Sequence, residues 1–133
     1  MAIEIGKIRN VGVVGHGGVG KTTLVEAMLF AAGAVTRLGR VDDGSTITDF
    51  DPDEIKRKIS INTSVAYCDW KGHHINLVDT PGYGDFIADA RAGLRVVDVP
   101  VTIRRRASGQ SKKGTNLRYG VGFLRVMLKT WLR

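Results

Sequence analysis

Apolar and polar positions alternate along this chain in two distinct periods, and the change of period marks its elements. Asn10-Val11-Gly12-Val13-Val14-Gly15 is a short β-branched run ending in glycine, the pattern of a buried parallel strand. From Lys21 to Ala32 the apolar residues Leu24, Ala27, Met28, Ala31 and Ala32 recur at helical spacing, and Gly33 supplies a stop. Thr36 to Ser60 is polar, broken by Gly39, Gly44 and Pro52, with a short helical stretch over Asp53–Lys58. A connection this long within one domain is functional or mobile. Ile61, Thr63, Val65 and Tyr67 then alternate with Asn62, Ser64, Ala66 and Cys68, and Ile75-Asn76-Leu77-Val78 follows the turn Lys71-Gly72. These predict an antiparallel hairpin. Asp85 to Val97 reads as a helix with Phe86, Ala90, Gly93, Leu94 and Val97 on one side. The order of strand, helix, hairpin and helix predicts an α/β fold.

Composition adds limits. A chain of 133 residues, 43% hydrophobic and 25% charged, has room for one globular domain. Cys68 is the single cysteine, so no intrachain disulfide staples it. No apolar run nears the roughly 18 residues that span a bilayer, and the first residues lack an apolar signal core. The expectation is a soluble cytoplasmic protein without membrane partners. Charge divides unevenly. Residues 1–98 carry 11 Lys and Arg against 13 Asp and Glu, whereas 99–133 carry 9 Lys and Arg and no acid. That break predicts a fold over 1–98 and a basic tail over 99–133 outside it, as a shift of reading frame near Asp98 would produce. Val99, Val101 and Ile103 offer the tail one possible strand.

Gly15-His16-Gly17-Gly18-Val19-Gly20-Lys21-Thr22 matches G-x-x-x-x-G-K-[ST] between a strand and a helix, the context a phosphate-binding loop requires. Its glycines let successive N–H groups converge on phosphate oxygens at a helix N-terminus. Lys21 can reach the β- and γ-phosphates, and Thr22 can take a Mg²⁺ position. Asp79-Thr80-Pro81-Gly82 closes the second buried strand. There Asp79 can hold Mg²⁺ through water, and Gly82 can offer its N–H to a γ-phosphate.

Gly15–Thr23, Ile59-Ser60-Ile61, Trp70–Asn76 and Asp79–Gly82 with Asp85-Phe86 resemble, in order, the GTP-binding domain of translation elongation factor G. Arg37–Val41 and Gly82–Phe86 are most similar to its elongation-factor-G-like paralogues. The resemblance covers about residues 8–98 and implies a P-loop NTPase fold, here an incomplete translational GTPase domain. It implies a ribosome-bound GTPase using Mg²⁺ with GTP, driving translocation or a related step. Lys21, Thr22 and Thr23 would bind phosphate and metal. Thr36–Ser60 would be the first switch and Asp79–Phe86 the second. Ser60 stands where the family has a Mg²⁺-closing threonine, and Tyr83 where it has the histidine that orients water. A phenol lacks a protonation change near neutrality, so turnover is expected to be slow. The family's guanine-reading Asn-Lys-x-Asp motif is absent; Asn116-Leu117-Arg118-Tyr119 does not match it.

Two other functions compete. A partition-type P-loop ATPase has a similar loop, although with a lysine early in it where this chain has His16. A non-catalytic RNA-binding fragment would use Arg104-Arg105-Arg106, Lys112-Lys113 and the apolar series Leu117, Val121, Leu124, Leu128 and Trp131. His73-His74 should point to opposite faces of a strand, and Cys68 should be an ordinary sheet residue. Asp49, Asp51, Asp53 and Glu54 are expected to form a solvated acidic face.

Overall fold

Parallel pairing organises the sheet. The structure, a computed structural model, describes residues 4–103. The β-branched run becomes β1 (Ile8–Gly15), and the glycine loop after it opens α1 (Lys21–Ala31). Short helix α2 (Pro52–Arg57) interrupts the long connection, before the hairpin of β2 (Ser64–Trp70) and β3 (His73–Asp79). Lys71 and Gly72 both have positive φ, as the tight hairpin turn requires. A 3₁₀ turn leads into α3 (Ile87–Gly93), and β4 (Val99–Ile103) completes a sheet ordered β2-β3-β1-β4.

β1 runs parallel to β3 on one side and to β4 on the other, and β2 runs antiparallel to β3. The registers Val13↔Asp79 and Gly15↔Ile103 bring the C-terminal ends of the three parallel strands together. In open α/β sheets that edge receives the ligand.

Val25, Met28 and Leu29 of α1 pack with Val11, Val13, Ala66, Cys68, Ile75 and Leu77 in one core cluster. Burying each large aliphatic there contributes about 1.5–3 kcal/mol. Across the sheet, Leu94 and Val97 close on Gly12, and Gly93 meets Thr63 and Val78. Phe86, Ala90, Gly93, Leu94 and Val97, the side expected from periodicity, are all half-buried, while the intervening positions are exposed.

Three expectations change. The first hairpin strand begins at Ser64 rather than Ile61, and its inward face is Ser64, Ala66 and Cys68. Val65 and Tyr67 face outward, each 65% exposed. Ala66 and Cys68 join the core cluster beside α1, and Ser64 Oγ donates to the Thr48 carbonyl of the long connection. The sheet also continues past residue 98, because Val99–Ile103 pairs with β1. A run of alternating β-branched residues satisfies the free edge of β1 whatever follows it. Residues 104–133, with the remaining basic and apolar positions named above, lie outside the described residues. Finally, Asp49 and Glu54 are buried rather than part of a solvated face. Glu54 accepts the amides of Asp51, Ile61 and Asn62, and Asp51 caps α2 through Asp53 N. Asp53 stays exposed.

Candidate phosphate and metal site

The site grows from the two loops that leave β1 and β3. Gly18 and Gly20 take φ of 75° and 94°, the left-handed region that glycine enters without strain, so the loop turns sharply into α1. His16 is exposed, with Nδ1 2.9 Å from the Gly17 carbonyl oxygen. Gly15 and Val19 are half-buried at the foot of the loop. The Gly17 amide donates to the Gly82 carbonyl at 2.9 Å, joining the glycine loop to the loop after β3. Thr80 Oγ1 donates to the Val13 carbonyl at 2.7 Å, and Pro81 is buried beside it.

Lys21 and Thr22 are both buried at the start of α1. Lys21 Nζ donates to the His16 carbonyl at 3.2 Å. Burial pulls the Lys21 ammonium below the ordinary lysine value, while Asp79 and Asp49 oppose that shift. Thr22 Oγ1 donates to Asp79 Oδ2 at 2.7 Å and lies 3.0 Å from Ser60 Oγ. Thr48 Oγ1 donates to the same Asp79 oxygen at 3.1 Å. Thr23 is half-buried next in the helix. Burial raises the Asp79 carboxyl to about 6, against the pull of its threonine hydrogen bonds and Lys21.

Asp49 joins this group from the long polar connection, although its sequence setting concealed it. It lines the same cavity of about 260 Å³ as Gly17, Lys21, Thr22, Ser60, Gly82 and Tyr83. Burial raises its carboxyl, Ser60 and Lys21 oppose that shift, and Glu54 adds to it. Asp49 Oδ2 and Asp79 Oδ1 are buried with no hydrogen-bond partner among the described residues. Two such carboxylate oxygens beside the Thr22 and Ser60 hydroxyls make an all-oxygen donor set, which fits a hard divalent cation. Tyr83 is 39% exposed, its ring lies against Gly17, and its centroid is 6.1 Å from that of His16.

The tempting residues fall elsewhere. His74 Nδ1 sits 2.8 Å from Asp69 Oδ1 and its ring stacks near Tyr67, while His73 faces the Lys71 carbonyl. Cys68 is buried in the core, where burial pushes its thiol up to about 11.

Residues 6–118 match the elongation factor Tu GTP binding domain, most of this chain. The chain belongs to that family. Elongation factor G 2 of Streptomyces coelicolor is 43% identical over 102 residues, 77% of this chain and 15% of that protein. The elongation factor G-like protein of Mycobacterium tuberculosis is 50% identical over 93 residues, 70% of this chain and 13% of its own length. A crystal structure of a Thermus thermophilus protein superposes with a TM-score of 0.73 at 36% identity, over 91% of this chain and 18% of that one. The chain is thus part of a GTP-binding domain similar to that of elongation factor G, as its motifs implied, and has the P-loop NTPase fold. It spans only 13–15% of the length of these curated relatives. Among its described residues, no helix is long and apolar enough to cross a membrane.

Proposed function

We propose that the chain binds GTP with Mg²⁺ between the glycine loop and Asp79–Gly82, and that it represents the nucleotide end of a ribosome-acting GTPase. The observation that carries this reading is the Thr22–Asp79 hydrogen bond at 2.7 Å beside buried Lys21. It joins the first residue after the loop lysine to the last residue of β3, the juxtaposition a phosphate-bound cation requires. In the loop, backbone N–H groups meet phosphate oxygens and Lys21 supplies the mobile positive charge. Thr22, Ser60, Asp79 and Asp49 would hold Mg²⁺, directly or through water. Bound there, the ion supplies neutralisation of phosphate charge. Tyr83 and Gly82 border the γ-phosphate position, where Tyr83 can shape access for water but cannot shuttle a proton as imidazole does. Turnover by this chain is therefore slow.

By kinship, the whole protein hydrolyses GTP on the ribosome during translocation or a related step, in the cytoplasm. Calorimetric titration of GTP·Mg²⁺ into the chain tests the site. Lys21→Ala should weaken binding about tenfold to a hundredfold, the loss of one strong charge-assisted contact. Equal affinity in the two proteins would refute the assignment. A second reading, non-specific RNA binding by residues 104–133, is favoured by the nine cations and absence of acids over 99–133. It predicts RNA affinity that falls steeply with salt and is lost when those residues are removed.

A further inference from the structure

Glu26 is a buried acidic side chain that the phosphate site does not itself use. It sits one helical turn beyond Thr22 on α1 and is 1% exposed. A carboxyl group at that depth needs strong donors, and among the described residues it takes them from the long connection. Oε2 accepts the Gly39 amide at 3.2 Å and Oε1 accepts the Ile47 amide at 2.5 Å. A Cβ at Gly39 would collide with Glu26 Oε2 and the Ser45 carbonyl, so only glycine lets the backbone come this close. Between the two anchored amides the chain turns through Val41–Asp43 and returns. Directly after Ile47 come Thr48, which donates to Asp79, and Asp49, which lines the phosphate cavity with Lys21.

We propose that Glu26 is a positioning residue for this site. Its carboxylate clamps both arms of the first-switch loop to α1, so that Thr48 and Asp49 are held against Asp79 and Lys21. The contribution to nucleotide retention rests on the reading of this cavity as a phosphate and metal site; the clamp itself does not. The chemistry requires a carboxylate. Both of its oxygens accept, whereas a glutamine of the same shape presents an NH₂ to one of the two amides, donor against donor.

Residue-resolved hydrogen exchange on the full chain, with and without Glu26→Gln, tests the clamp. In the unaltered chain the Gly39 and Ile47 amides should exchange at least tenfold more slowly than those of exposed Arg37 and Asp42. Glu26→Gln should abolish that difference while Val11 and Leu77 in the sheet keep their protection. Release of a fluorescent GTP analogue should quicken at least fivefold in Mg²⁺ and remain unchanged in EDTA, because the loop acts through the metal groups. Unchanged exchange at Gly39 and Ile47 in the variant would overturn the proposal, and so would release that quickens equally with and without Mg²⁺. If the variant loses sheet protection as well, the unaltered chain decides: Gly39 and Ile47 amides exchanging as fast as Arg37 and Asp42 would overturn the clamp. A chain that binds no nucleotide refutes the functional reading alone, since the exchange comparison still judges the clamp.

Discussion

At the scale of single residues, Asp79 sets the electrostatics of the chain. Burial raises its carboxyl from 3.8 to about 6, so the folded state holds its proton more tightly than the unfolded state. Its contribution to stability is therefore complete below about pH 4 and is lost as pH rises through about 6. In EDTA, denaturant unfolding should show stability falling over that window, by up to about 3 kcal/mol from this group. Asp79→Asn should remove most of the slope and stabilise the metal-free chain at neutral pH. A slope unchanged by Asp79→Asn would place the titration elsewhere. The same substitution should weaken Mg²⁺-dependent nucleotide binding, giving opposite signs for stability and function at one residue. Lys21, Thr22 and Asp79 were legible because glycine spacing and strand ends announce them. Asp49 and Glu54 were not. Their burial comes from the fold of the connection over α1, and an acid in a polar stretch carries no period to reveal it.

At the scale of elements, α2 shows how local chemistry fixes the connection. Asp51 caps it, Pro52 occupies its first turn, and the Glu54 carboxylate accepts the Asp51 backbone amide in return. Its end is less favourable, because Lys58 closes the helix at φ 57° and ψ 38°, left-handed space that a side chain enters at a cost. Lys58→Gly should stabilise the chain by about 1 kcal/mol and Asp51→Ala should destabilise it by about 1 kcal/mol, both read from thermal or urea unfolding. Opposite signs would contradict the capping account. Periodicity foretold β1, α1, β3 and the half-buried side of α3 to within a few residues. For β2 it foretold the alternation without its inward face. Size alone suggests Val65 and Tyr67 as core, but Ala66 and Cys68 are the β2 residues that join the cluster with α1, an outcome set by a different part of the chain.

At the scale of the whole molecule, the parallel strands determine where the chemistry lies. β1, β3 and β4 end together, and the two loops leaving β1 and β3 share Thr22, Asp79, Gly17 and Gly82 contacts. Because the 133 residues contain no Asn-Lys-x-Asp sequence, guanine discrimination has no visible source here. GTP and ATP should then compete within about tenfold for the chain, since each missing base contact removes about 1–3 kcal/mol of discrimination. A strong GTP preference in competition binding would reveal another base-reading surface. The most direct test of the central claim, that phosphates bind where Lys21 meets Asp79, is an amide ¹H–¹⁵N spectrum of the chain titrated with GTP·Mg²⁺. The account predicts that resonances of Gly17, Gly18, Gly20, Lys21, Thr22 and Gly82 move most and saturate together. Saturable shifts confined to other residues, with these six unmoved, would contradict it.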